Sequence, residues 1–221
     1  MSNVRTATHP GVAPTVEINK VLRNTYLLLG MTLAFSAVVA GISMALNLPH
    51  PGMIVWLVGF FALLFVVHKT ANSPWGLLSV FLFTGFLGYG LGPILNAYLG
   101  LANGGSLVSS ALGTTAIAFV GLSAYAVISR KDFSFLSGFL VVGFFVLMGA
   151  VLLGLFFDLS AFAMAISAGF VLFSCAAILW QTSAIIHGGE TNYILATVTL
   201  YVQIYNLFLS LLHIFGVMSD D

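Results

Sequence analysis

Residues 192–216 read NYILATVTLYVQIYNLFLSLLHIFG, twenty-five residues without a formal charge. At about 1.5 Å per residue a helix of this length outreaches the hydrocarbon core of a bilayer, roughly 30 Å thick. Its polar members, Asn192, Thr199, Gln203, Asn206 and Ser210, are spaced by 7, 4, 3 and 4. That spacing puts them on one helical face, with Leu, Ile, Val and Phe opposite. A polar stripe turned toward lipid would leave amides unsatisfied in hydrocarbon, which is costly. The helix is therefore expected at the centre of a bundle, with polar partners on other helices. Gln181 and Thr182 of the preceding apolar segment are the nearest candidates.

The rest of the chain agrees with this reading. Lys plus Arg is 6, Asp plus Glu is 6, and together they make 5% of 221 residues. Soluble domains are usually about 25% charged. Hydrophobic residues make 60%, and the mean hydropathy is +1.12. So few ionic groups exclude a water-soluble enzyme, and so much apolar content excludes disorder. A formal net charge of +0 offers nucleic acid no basic footprint. The alternating ten-residue strands of a membrane β-barrel are absent. A single Cys175 permits no intrachain disulfide. Seven apolar segments remain, at 25–46, 52–67, 75–99, 107–129, 134–157, 160–186 and 192–216. The expected fold is an all-α membrane protein, a seven-transmembrane-helix bundle with the last helix central. Residues 25–216 form that transmembrane domain, and its short loops leave no room for a second one.

All six cations, Arg5, Lys20, Arg23, Lys69, Arg130 and Lys131, fall on one side of a seven-span bundle. The loops on the other side hold only His50 and Asp158. Excess Lys and Arg marks the cytoplasmic face. The N-terminus is therefore expected in the cytoplasm and the C-terminus, with Asp220 and Asp221, in the periplasm. A six-span arrangement with one re-entrant segment is the alternative. Residues 1–24, with Pro10, Gly11 and Pro14, lack the pattern of a cleavable signal peptide and read as a flexible cytoplasmic tail. Residues 217–221 read as a short tail on the far side.

Close packing must supply contact energy between helices in lipid. Gly88 and Gly92 form a G-x-x-x-G on the third span, and Ala37 and Gly41 a small pair on the first. Pro93 removes a helical donor, so Gly90, Gly92 and Pro93 are a candidate hinge. Catalytic chemistry is poorly represented. No span carries an ionisable residue at its middle, and no His, Cys, Asp and Glu spacing suits zinc. Ser123 loosely suggests a serine nucleophile, but His213 belongs near the opposite surface. No catalytic residue, cofactor or metal is expected.

The stretch HGGETNYILATVTLYVQIYNLFLSLLHIFG at 187–216 resembles the C-terminal signature of the Bax inhibitor family of multispanning membrane proteins. KVLRNTYLLLGMTLAFSA (20–37), HKTANSPWG (68–76), FTGFLGYGLGPILN (83–96) and SRKDFSFLSG (129–138) resemble its bacterial branch. The resemblance implies a seven-helix bundle around its last helix. It also implies an inner-membrane protein that engages the membrane-bound AAA protease FtsH, modulates it, limits proteolysis of membrane proteins, and is itself a substrate. The tail would offer an ATP-driven protease a place to grip. Many members instead carry an aspartate pair linked to a pH-sensitive calcium leak. The matching positions here are Gln181 and Gln203. Glutamine does not ionise, so a shared-proton switch is chemically removed. The family's arginine latch on the second span also has no counterpart between Gly52 and Val67. A cation leak of the Bax inhibitor type is therefore the alternative function. Oligomeric state is left open, since glycine faces permit self-association as readily as internal packing.

Overall fold

Long apolar runs become helices because a backbone in hydrocarbon must satisfy its own N–H and C=O groups. The computed structural model describes residues 15–219 and contains seven long helices. They are α1 (Thr15–Ala45), α2 (Met53–Thr70), α3 (Gly76–Leu99), α4 (Gly104–Ser129), α5 (Leu136–Leu153), α6 (Ala163–Ile186) and α7 (Tyr193–Ser219). A single 3₁₀ turn, Ser160–Phe162, leads into α6. The described residues include no strand. All seven helices are long and apolar enough to cross a membrane. Their surface carries large apolar side chains such as Ile54, Ile117, Phe145 and Phe156, which suits contact with lipid tails.

The expected spans match these helices to within a few residues, except at α1. Its helix begins at Thr15, so residues 15–24, expected as flexible tail, are its first turns. Val217 to Ser219, expected as C-terminal tail, extend α7. The remainder of both tails, residues 1–14 and 220–221, lies outside the described residues.

α1 and α3 form the most extensive helix pair, followed by α6 and α7. α7 also packs on α1, α3 and α4. Of its membrane-spanning stretch 72% is buried, against 6% for α2 and 11% for α5. α2 rests mainly on α3, and α5 on α6. The core joins Leu28 and Leu29 of α1, Val80, Phe83 and Leu87 of α3, Ile178 of α6, and Leu200, Tyr201 and Leu207 of α7. A smaller cluster, Leu107, Ala111, Phe208 and Leu212, seats α4 on α7. The α1–α3 contact depends on glycine. A Cβ at Gly88 would meet the Ser36 carbonyl oxygen, and one at Gly92 would meet the Ser43 side chain. α3 continues as helix through Pro93 to Leu99.

Candidate functional site

The turn between α6 and α7 is built from local rules. Gly188 takes φ +74° after α6, a left-handed conformation that glycine adopts without strain. The N–H groups of Gly189 and Glu190 then donate to the Ala184 carbonyl and close the helix end. Asn192 starts α7 as its N-cap. Its Oδ1 accepts from the N–H groups of Ile194 at 2.9 Å and Leu195 at 3.2 Å. Its Nδ2 donates to the Ala71 carbonyl at 3.2 Å and to Asn72 Oδ1 at 2.7 Å. One side chain thus caps α7 and ties it to the α2–α3 loop.

Further along α7, Gln203 and Ser210 are buried, whereas Thr199 and Asn206 are half-buried. Besides His213, two residues off the expected stripe make interhelical bonds. Thr197 is fully buried, with its hydroxyl on the carbonyls of Tyr193 at 2.7 Å and Thr25 at 3.2 Å. The Tyr201 hydroxyl pairs with the Ser36 hydroxyl on α1 and lies 3.4 Å from the Thr84 carbonyl on α3. A helix enclosed on several sides presents no single polar wall, so spacing alone missed both residues. The apolar flanks of Thr197 and Tyr201 gave no signal for either.

Gln181 and Gln203 are both buried on adjacent helices. No hydrogen bond joins them: Gln181 Nε2 and Gln203 Oε1 are each without a partner. The register explains this. Ser167 Oγ and His213 Nδ1 lie 3.0 Å apart and set antiparallel α6 against α7. Fourteen residues on from Ser167 and fourteen back from His213, Gln181 comes level with Thr199. Gln203 is one turn further, about 6 Å along the axis. Thr182, the other expected partner, is taken by the Tyr26 hydroxyl of α1 at 3.3 Å.

Gln181 lies at the floor of a cavity of about 330 Å³ lined also by Asp132, His187 and Glu190. The backbone N–H of Ser134 donates to Asp132, and that bond holds its carboxyl below the usual carboxylate range. At the other end of the bundle the Ser160 N–H does the same for Asp158. Further buried polar atoms without partners are Ser123 Oγ, Ser174 Oγ, Thr25 Oγ1 and the Tyr205 hydroxyl. His213 bonds Ser167, and His187 Nδ1 lies near the hydroxyl and carbonyl oxygens of Ser183. Among the described residues no histidine hydrogen-bonds Ser123. The described residues include no group of three His, Cys, Asp or Glu side chains placed to hold a metal ion. Gly90 and Gly92, expected as hinge, serve as packing surfaces. A Cβ at Gly90 would press on the Trp56 indole of α2.

The buried side chains described are thus neutral, and in part unsatisfied. Such an arrangement supplies contact surfaces and sites for water, and among the described residues no carboxylate is buried.

A family model described as inhibitor of apoptosis-promoting Bax1 matches residues 18–220. An uncharacterized protein of Pseudomonas aeruginosa is 62% identical over 95% of both chains. The modulator of FtsH protease YccA of Escherichia coli K12 is 55% identical over 93% of this chain and 94% of its own. In Escherichia coli O6:H1 a protein described as inner membrane protein YccA shows the same identity and coverage.

Proposed function

The chain belongs to the Bax inhibitor family, and from that premise we propose that it binds and modulates the FtsH protease in a bacterial inner membrane. In this reading it limits proteolysis of other membrane proteins and is itself a substrate. It is a regulatory membrane protein and not an enzyme. The observation that carries the reading is 55% identity, over nearly the whole chain, to a protein described as a modulator of that protease. The site is compatible with it: two neutral amides stand where a proton-switched pair would need carboxylates. Reconstituting the protein with purified FtsH in liposomes tests the proposal. Degradation of an unrelated membrane substrate should slow as this protein is added, and the two should co-purify. Unchanged degradation without co-purification overturns it.

A second reading, a cation leak, draws on the unpartnered buried atoms of Ser123, Ser174, Gln181 and Gln203. Buried polar groups in native proteins are almost always satisfied, by protein or by ordered water, so these mark places where water would enter. Calcium flux into liposomes decides between the readings. The unmodified protein should conduct little, and Gln203→Asp should gain pH-dependent flux. Robust pH-gated flux without the substitution would replace the first reading by the second.

A further inference from the structure

α1 and α4 each pack on α7, but no extensive contact closes the gap between them. A cavity of about 460 Å³ lies there. Its walls are Ala37 and Gly41 of α1 and Leu112 and Ala116 of α4, all exposed at the bundle surface, so it opens sideways between the two helices. A Cβ at Gly41 would meet nothing within 4 Å. The floor is Tyr201 and Tyr205 of α7.

The lining offers water one polar group without a partner, the Tyr205 hydroxyl. Ser36 and Tyr201 are bonded to each other, and the Thr115 hydroxyl donates to the Ala111 carbonyl at 2.7 Å. A trapped water needs two to four free polar partners. The position and shape indicate hydrocarbon. The cavity runs along α4 from Val108 to Val120, about 18 Å at 1.5 Å per residue, close to one leaflet's share of a 30 Å core. Volume divided by that length is about 25 Å² for the centres of water-sized spheres, and a water radius of about 1.4 Å all round widens the open section to about 55 Å². A partner helix of roughly 10 Å diameter would need about 80 Å². One polymethylene chain, with neighbours at carbon contact distances near 4 Å, needs about 20 Å². We propose that the α1–α4 cleft is a binding site for the acyl chains of a membrane phospholipid. They enter from the leaflet at the α1–α2 end of the bundle and brace two helices that do not brace each other.

The test uses full-length protein in phosphatidylethanolamine and phosphatidylglycerol liposomes containing a phospholipid with a diazirine in one acyl chain. After photolysis, labelled residues are mapped by mass spectrometry. In the unmodified protein, labelling should concentrate on the cleft residues of α1 and α4, above the equally exposed Phe139 and Phe145 of α5. Gly41→Leu combined with Ala116→Leu fills the cleft. It should reduce cleft labelling roughly tenfold, the discrimination a methylene or two gives in an apolar pocket. Labelling of α5 should stay unchanged, which shows that the variant is folded. Cleft labelling no higher than that of α5 in the unmodified protein overturns the proposal without any variant. Undiminished cleft labelling in the filled protein overturns it as well.

Discussion

Asn192 carries more structure than any other polar residue of the α7 stripe, because its acceptor faces its own helix and its donor faces another element. Losing such a cap costs about 1 kcal/mol, and up to about 2. Asn192→Ala should therefore lower the unfolding midpoint in detergent. Asn192→Asp should lose less, since a carboxylate still caps the helix but no longer donates to Ala71 and Asn72. Thr199→Val serves as the contrast. Thr199 shares the sequence pattern of Asn192 and is half-buried like it, yet makes no side-chain bond, so its midpoint should barely move. Equal losses at both positions would remove the distinction. The polar pattern of α7 was thus legible as a reason for burial, and Gln203 and Ser210 follow it. It was not legible as a list of contacts. Thr197 and Tyr201 bond to α1 and α3 from other faces, and among their partners are backbone carbonyls that no side-chain pattern announces.

Among the elements, α1 and α3 touch most closely where glycines remove side chains. Gly92→Leu should drive a side chain into Ser43 and Ala40, and overpacking of this kind costs about 1–3 kcal/mol. Gly113 of α4 is exposed, and a Cβ there would meet nothing within 4 Å. Gly113→Leu should therefore leave thermal stability in detergent unchanged, and a comparable loss there would show that α4 has a neighbour on that side. The spans themselves were readable, because an apolar run longer than the bilayer has few other solutions. The first ten residues of α1 were not. Glu17, Asn19, Lys20, Arg23 and Asn24 look like a solvated tail, and nothing in their polarity separates a helix projecting from the membrane from an unstructured approach to it. At the other end Val217 to Ser219 continue α7 past Gly216, a residue type that commonly marks a helix end.

For the whole molecule, seven helices place Lys69, Arg130 and Lys131 at one end and His50 and Asp158 at the other. A membrane that keeps cations inside then sets one orientation. In a Cys175→Ser background, Lys131→Cys should react with an impermeant thiol reagent only when the cytoplasmic face is open. Asp158→Cys should react only from the opposite face. Labelling of both from one side would refute the seven-span topology. The same architecture decides how the protein meets a pulling force. A motor that grips the last helix must withdraw the element on which four others lean. One that grips the first must part the most extensive pair in the bundle. The loosely held helices, α2 and α5, lie in the interior of the chain, where threading cannot begin. Both terminal helices are held by several neighbours, so withdrawing the first span should stall a motor for longer than any later one.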